Sequence, residues 1–123
     1  MNKILAFSDG GGQEGYGHLR RLTLLIGNLK LCKETIFIYE NDFQKNFYIQ
    51  NGLLHSSIKR VLKERSRFDL MILDSKKDRS DLLKILTFNK ALIIDNNVMS
   101  TKDIFRVSPS FFSKADEINP FVF

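Results

Sequence analysis

Five glycines, two acidic residues and a histidine lie close together near the start of the chain, in the segment Asp9-Gly10-Gly11-Gly12-Gln13-Glu14-Gly15-Tyr16-Gly17-His18. Glycine lets the backbone adopt positive φ angles and approach a ligand closely, and a helix that begins after such a loop offers unpaired N–H groups to phosphate or carboxylate. Histidine changes its charge near neutral pH, so His18 could accept a proton from water or from a hydroxyl group. This combination predicts a ligand-binding loop.

The same loop formally satisfies the spacing of two other phosphate-binding motifs. Gly10-x-Gly12-x-x-Gly15 has the form of the dinucleotide-binding fingerprint, and Glu40, after the second predicted strand, would serve as its ribose acid. That interpretation requires a helix that begins near Gly12, whereas the apolar stripe of the first predicted helix begins only at Leu19 or later. A Walker A loop fails because His18 stands where that motif needs lysine. We therefore favour a longer loop over both motifs.

Acidic residues follow several predicted strands. The segment Phe68-Asp69-Leu70-Met71-Ile72-Leu73-Asp74 is typical of the phospho-acceptor strand of receiver domains, but such domains also need an acidic pair after the first strand to bind Mg²⁺, and this chain has Asp9 alone there. Asp9, Asp74 and Asp95 could approach one another at neighbouring strand ends. We interpret them as caps and loop formers, and we predict neither a metal site nor a bound cofactor.

Alternating strands and helices must position these residues. Apolar runs predict four strands and a possible short fifth one: Lys3–Phe7, Thr35–Tyr39, Phe68–Leu73, Lys90–Ile94 and Leu53-Leu54. Helical spacing of apolar residues predicts four helices, marked by Leu22 to Leu29, by Phe43 and Phe47, by Ile58 to Leu62, and by Leu82 to Leu86. Asp42 is the expected N-cap of the second helix, Gly52 its stop, and Asp78 or Ser80 the cap of the fourth.

The connections between strands are long enough for crossover helices. The sequence therefore predicts an α/β fold, with a Rossmann-like doubly wound parallel sheet whose ligand site lies beyond the carboxyl ends of the strands.

Composition narrows the class of protein further. The formal charge is +5, but the basic residues are scattered along the chain, so a nucleic-acid partner is not expected. One cysteine, Cys32, gives no disulfide framework, and no apolar run reaches the length of a membrane span or of a signal peptide. We predict one domain over residues 1–123, cytoplasmic and without a membrane span.

The segment from Ser8 to Arg21 resembles the opening motif of the UDP-2,4-diacetamido-2,4,6-trideoxyhexose hydrolases of pseudaminic acid biosynthesis. These are similar to spore-coat polysaccharide biosynthesis proteins and, more distantly, to MurG-like glycosyltransferases. Gly15, Gly17, His18 and Arg21 match the family's Gly-x-Gly-His-x-x-Arg. Three later segments continue the resemblance in the same order: Phe68–Ser75, Ala91–Asn96 and Ala115–Pro120.

The resemblance implies that this chain is one half of a GT-B fold, the N-terminal domain, and that the C-terminal nucleotide-binding domain is absent from it. His18 would activate water, or an acceptor, for attack at the anomeric carbon of a UDP-linked amino sugar, releasing UDP with inversion. A separate C-terminal half or a second copy of the chain would complete the site. The residues expected to bind substrate are Asp9, Gly10, Gly11, Gly12, Gly15, Tyr16, Gly17, Arg21, Asp74 and Lys76.

Two departures from the family pattern support an alternative. Lys76 stands where the family commonly has a tyrosine near the sugar, and the resemblance does not extend to the family's nucleotide-binding half. The alternative is a non-catalytic binding or structural module that retains the fold.

Overall fold

A computed structural model describes residues 3–11, 15–77, 79–94 and 104–107. Within these ranges six strands alternate with four α-helices. Their bounds are β1 Ile4–Ser8, α1 Gly17–Asn28, β2 Thr35–Tyr39, α2 Asp42–Gln50, β3 His55–Ser57, α3 Ile58–Glu64, β4 Arg67–Asp74, α4 Ser80–Ile85, β5 Thr87–Ile94 and β6 Ile104–Val107. A short 3₁₀ turn, Cys32–Glu34, precedes β2.

All six strands are parallel and form one sheet in the order β3-β2-β1-β4-β5-β6. This arrangement confirms the predicted α/β, Rossmann-like doubly wound fold. The first three strands proceed outward from β1 in one direction, and β4 to β6 proceed outward in the other. The order therefore reverses between β1 and β4, where Ser8 pairs with Asp74, and this is the point at which open parallel sheets form a ligand crevice.

Side chains along each strand alternate between the two faces of the sheet, and each face has its own core. The α1/α2 face, which packs against α1 and α2, buries Ile4, Ala6, Phe37, Ile72 and Leu92 together with Leu19, Leu22, Ile26, Phe47 and Tyr48. The α3/α4 face, which packs against α3 and α4, buries Leu5, Phe7, Ile38, Met71, Leu73 and Ile93 together with Val61, Leu82 and Leu83. Each fully buried Leu, Ile or Phe side chain contributes about 1.5–3 kcal/mol through removal of apolar surface from water.

The predicted strands agree closely with the sheet, except at its edge. β2 has the predicted bounds, and the other long strands start or end within a few residues of them. The short strand was wrongly placed: it is His55–Ser57, and Leu53-Leu54 lies just before it. Leu54 is largely exposed and only its carbonyl joins the sheet, accepting from Phe37 N at 2.8 Å, so its apolar character does not reflect burial in a strand.

The helix caps required two corrections. Asn41, not Asp42, is the N-cap of α2: its side chain accepts from Gln44 N at 2.9 Å, and the Gln44 side chain accepts from Asn41 N at 3.2 Å, which makes a capping box. Ser80 is the first residue of α4 instead of its cap, and Asp78 lies outside the described residues. Gly52 follows α2 with a φ of 64°, as expected of a helix stop.

No helix in the described part of the chain is long and apolar enough to cross a bilayer.

Candidate functional site

The glycine-rich loop leaves the sheet after Ser8 and reaches α1 at Gly17, which confirms a connection longer than the dinucleotide fingerprint allows. The geometry disfavours a side chain at three of its described glycines. A Cβ atom on Gly10 would lie 2.5 Å from Leu19 Cδ1, and Gly11 and Gly15 have φ angles of 94° and 60°, which L side chains rarely adopt. Gly12 lies outside the described residues. The loop therefore packs directly on the first turn of α1.

Helix α2 fixes the start of this loop through its two capping side chains. Asn41 Nδ2 donates to Gly10 O at 3.0 Å, and Gln44 Nε2 donates to Ser8 O at 2.7 Å. Gln44 is fully buried, so its amide satisfies a backbone carbonyl that would otherwise lack a partner at the strand end. The backbone of the loop is thus bound to a helix start that lies beside it.

The other end of the loop rests on α2 as well. The ring of Tyr16, the N-cap residue of α1, lies 4.5 Å from the ring of Phe43 and 5.7 Å from that of Phe47, measured between centroids. Tyr16 nevertheless remains 48% exposed. The result is an aromatic surface two residues before His18.

His18 lies in the first turn of α1 and points at the end of β4. Its Nδ1 is 2.9 Å from Asp74 Oδ1, and both residues are buried. Nε2 of His18 forms no hydrogen bond with any described residue, and the His18 side chain is 10% exposed. One ring nitrogen is therefore held by a carboxylate, and the other has no partner among the described residues.

Arg21, one turn further along α1, binds the same carboxylate. Arg21 Nε donates to Asp74 Oδ2 at 2.7 Å and Nη2 donates to Oδ1, and Nη2 also lies 2.9 Å from His18 Nδ1. If Nδ1 were unprotonated, its lone pair would face that of the carboxylate. With the proton on Nδ1, both His18 and Arg21 donate to Asp74, but Nδ1 then faces a second donor, Arg21 Nη2; without that proton, Nδ1 accepts from Nη2. Only the tautomer with the proton on Nδ1 leaves the lone pair on Nε2.

Asp9 anchors a second group of residues at the end of β1. Its Oδ2 accepts from Ser75 Oγ at 2.7 Å and from Lys76 N at 3.1 Å, and its Oδ1 accepts from Arg79 Nη2. Burial disfavours the charged form of Asp9, but the hydrogen bonds from Ser75 and Arg79, the charge of Arg79 and the Lys76 N–H outweigh it and lower the pKa of Asp9. Asp9 is therefore an ionised, buried carboxylate.

Arg79 extends across the carboxyl ends of three strands. Besides binding Asp9 after β1, Arg79 donates through Nε to Ser75 Oγ after β4 at 3.3 Å, and through Nη1 and Nη2 to Glu40 after β2 at 3.4 and 3.3 Å. Its guanidinium carbon lies 4.9 Å from the Phe7 ring centroid. Burial alone would lower the pKa of Arg79, but the hydrogen bond and charge of Asp9, followed by those of Glu40, raise it.

Sequence reasoning missed Arg79 as a site residue. A buried aspartate needs a cationic partner, which points to the β4–α4 connection, but Lys76, Lys77 and Arg79 all occur there and no spacing rule selects among them. The planar guanidinium can donate to Asp9, Ser75 and Glu40 together, which a lysine ammonium cannot match in geometry. Only the structure shows this selection.

The two groups lie on opposite faces of the sheet. Asp74 continues the alternation of Ile72 and reaches α1 on the α1/α2 face, whereas Asp9 continues the alternation of Phe7 and reaches Arg79 on the α3/α4 face. Asp9 N donates to Asp74 O at 3.2 Å, so the strand ends themselves are in contact. A ligand in the crevice between β1 and β4 would have one group on either side of it.

No protein-family model, curated protein or solved structure matches this chain. The family resemblance of the glycine-histidine segment therefore stays a prediction.

The predicted site residues fall into three sets. The first is the hydrogen-bonded group of His18, Arg21 and Asp74. The second contains Asp9 and the backbone of Lys76. The third consists of residues of the loop and of the first position of α1: Gly10, Gly11, Gly15, Tyr16 and Gly17. The side chain of Lys76 is exposed. Within the described ranges, no three His, Cys, Asp or Glu side chains are arranged to hold a metal ion.

Proposed function

We propose that this chain is the N-terminal half of a nucleotide-sugar hydrolase, or of a related GT-B glycosyltransferase, and that His18 is its general base. The observation that supports this most directly is the contact between His18 Nδ1 and the buried carboxylate of Asp74 at 2.9 Å, at the strand-order reversal. A carboxylate on one ring nitrogen fixes the tautomer and stabilises the imidazolium that forms when the other nitrogen takes a proton.

In the proposed hydrolysis, His18 Nε2 removes a proton from a water molecule as its oxygen attacks the anomeric carbon of a UDP-linked amino sugar. The bond between that carbon and the diphosphate oxygen breaks, and UDP leaves with the electron pair. The products are the free sugar, with inverted configuration, and UDP. In a glycosyltransferase, an acceptor hydroxyl takes the place of water. A positioned general base of this kind typically accelerates a reaction by about 10²–10⁴-fold.

A second domain belongs to the proposal. The His18 group lies at the carboxyl edge of a single sheet, and a GT-B enzyme closes such an edge with a second Rossmann-like domain that binds most of the nucleotide. We propose a separately encoded C-terminal half or a second copy of this chain for that role. We place the activity in the cytoplasm, since Cys32 is a free thiol and offers no disulfide framework.

A non-catalytic module is the second candidate. It is favoured because the buried carboxylates of the site are already paired with cations of the protein itself. Asp9 and Asp74 are almost completely buried, and each already has a cationic partner within the protein, Arg79 and Arg21. Such groups also occur purely as structure, joining strand ends to helices. In this case the chain would bind an anionic ligand, or a protein partner, without turnover.

The deciding experiment compares the purified wild-type chain with His18→Gln and with His55→Gln, a matched control. His55 lies on the edge strand β3, where its Nδ1 contacts Leu53 O at 2.8 Å, away from the crevice. Calorimetry measures binding of a UDP-linked diacetamido sugar, and a coupled assay measures UDP release. The hydrolase proposal expects His18→Gln to bind and to lose release, with His55→Gln active. If the wild type binds the UDP-linked sugar but releases no UDP, both at low concentration and at a concentration high enough for dimers to form, the result favours the non-catalytic module.

A further inference from the structure

The outer contact of Arg79, with Glu40, is longer and more exposed than its inner contact with Asp9. On the inner side, the guanidinium meets Asp9, which is 1% exposed, and Ser75, which is fully buried. On the outer side it meets Glu40, whose side chain is 41% exposed, at 3.3 and 3.4 Å. These two distances exceed the usual 2.7–3.2 Å of a strong N–H···O bond, as does the 3.3 Å from Arg79 Nε to Ser75 Oγ, so the contact with Asp9 is the strong one.

The inner contacts hold the guanidinium in place without depending on Glu40. Asp9 is almost completely buried where it pairs with Arg79, whose side chain is 16% exposed, and Ser75 Oγ, which itself donates to Asp9, accepts from Arg79 Nε. An arginine fixed on one side by a buried carboxylate presents its remaining N–H groups in a defined plane. Exposed pairs such as the one with Glu40 contribute little to stability, so an anion with better geometry can replace this carboxylate.

The location matches the crevice. Arg79 extends from the end of β4, across that of β1, to that of β2, so it lies beside the strand-order reversal and on the face opposite His18 and Arg21. Lys76, an exposed residue on the same connection, adds positive charge. A ligand that brings its anomeric carbon to His18 would bring its leaving group toward the other side of the crevice.

We infer that Arg79 binds a phosphate group of the ligand, and that this phosphate replaces Glu40 as the outer partner of the guanidinium. The ligand class is a diphosphate ester, because two adjacent anionic groups match a guanidinium and a neighbouring lysine. The inference rests on the proposed function for the crevice being the substrate site. It assigns part of the diphosphate recognition to this chain, and the remainder to the second domain.

Glu40→Gln provides the sharpest test, because it removes the competing charge and leaves the inner contacts intact. Its matched control is Glu64→Gln, which removes one negative charge from another exposed pair, with Arg60 at 3.6 Å. Glu64 ends α3, the helix that returns to the start of β4, so it lies at the opposite edge of the sheet. Both variants change the net charge of the protein equally.

The probe is inorganic pyrophosphate, titrated calorimetrically at low ionic strength into the wild type and the variants. We expect Glu40→Gln to lower the dissociation constant about two- to fivefold, the range given by loss of one exposed ion pair, and Glu64→Gln to leave it unchanged. Arg79→Lys should raise it by about tenfold or more, since a charge-assisted, planar donor is lost. Far-UV circular dichroism and the melting temperature establish that each variant is folded.

The inference is overturned if Glu40→Gln and Glu64→Gln bind pyrophosphate like the wild type, whatever the behaviour of Arg79→Lys. The outcome is independent of turnover. If Glu40→Gln tightens pyrophosphate binding while the wild type releases no UDP, the phosphate site stands and the hydrolase proposal fails. If UDP release depends on His18 but Glu40→Gln does not change pyrophosphate binding, the hydrolase proposal stands and the phosphate site fails.

Discussion

Asp9 and Asp74 lie at the ends of neighbouring strands, and Asp9 N donates to Asp74 O at 3.2 Å. Their carboxylates nevertheless point to opposite faces of the sheet. The cause is the two-residue period of side chains along a strand. Each carboxylate binds residues from the helix that packs on its face. Asp74 binds His18 and Arg21 of α1, and Asp9 binds Arg79, the residue before α4. The crevice therefore has an ion-paired group on each side, and each can be tested separately.

Asp74→Asn should reduce both catalysis and stability. The amide cannot accept from Arg21 and His18 together as the carboxylate does, so His18 loses the partner that fixes its tautomer. We expect UDP release to fall by about 100-fold or more and the free energy of unfolding to fall by about 1–3 kcal/mol. Urea unfolding and the release assay measure the two effects.

The control for this change lies on the same strand. Asp69 is exposed and accepts from Lys3 N at 2.8 Å, a bond that an asparagine oxygen also makes. Asp69→Asn should shift stability by no more than about 0.5 kcal/mol and leave UDP release unchanged. Equal release by the two variants would exclude a role for Asp74 in the reaction.

The lowered pKa of Asp9 predicts a specific dependence of stability on pH. Because the folded protein holds Asp9 ionised below the 3.8 of an ordinary aspartate, the unfolded chain binds more protons in that range, and stability falls as the pH is lowered. The contribution is complete above about pH 5 and disappears as the pH falls through the folded pKa. Arg79 stays charged throughout, so the effect belongs to the carboxylate.

Asp9→Asn isolates this contribution. At pH 7 the wild type should exceed the variant in free energy of unfolding by about 1–3 kcal/mol, and the difference should shrink as the pH is lowered below 3.8. Thermal or urea unfolding at pH 7, 4 and 3 gives the comparison. The contributions of the other carboxylates are the same in both proteins and cancel in the difference. A difference that stays constant from pH 7 to 3 would show that Asp9 is not paired as the structure describes.

Two glycine substitutions should act in opposite directions. Gly10→Ala places a Cβ 2.5 Å from Leu19 Cδ1, and Leu19 is buried, so the loop or the helix must shift at a cost of about 1–3 kcal/mol. A Cβ atom on Gly27, near the end of α1, would meet nothing within 4 Å, and Gly27→Ala should stabilise by about 0.5–1 kcal/mol through higher helix propensity. Equal melting temperatures for the two variants would contradict the close approach at Gly10.

Asn41→Ala tests the capping box. It removes the acceptor for Gln44 N and the donor for Gly10 O, so both the start of α2 and the glycine loop lose a hydrogen bond. We expect a loss of about 1–2 kcal/mol, against a change within about 0.5 kcal/mol for Asp42→Ala, because Asp42 is not the cap. Urea unfolding distinguishes them, and a larger effect at Asp42 would restore the cap that the sequence suggested.

The sheet could be predicted from the sequence because its strands are continuous apolar runs, as in Ile36–Ile38 and Met71–Ile72, where burial on both faces leaves no alternation to misread. The start of α1 was also predictable, since Gly15 and Gly17 are poor helix interiors. The edge strand was not, because His55–Ser57 is polar and half-buried, and its pairing with β2 depends on a neighbour 18 residues away, as with Phe37 and His55.

For the site, the sequence pointed to His18 and to the strand-end carboxylates but not to their partners. The contact of His18 with Asp74 spans 56 residues, and that of Asp9 with Arg79 spans 70. Neither follows from local spacing. They depend on which strands are adjacent and on which face each side chain occupies, and these are properties of the folded sheet.

The capping box of α2 links the helix to the glycine loop. Asn41 and Gln44 start a helix, and the same two amides bind the backbone oxygens of Gly10 and Ser8. Mutational drift at either position would disturb the loop ahead of His18 as well as the helix. Because the acceptors are backbone oxygens, which every residue has, no exchange within the glycine segment can replace a lost amide donor, and the anchorage of the loop depends on positions 41 and 44.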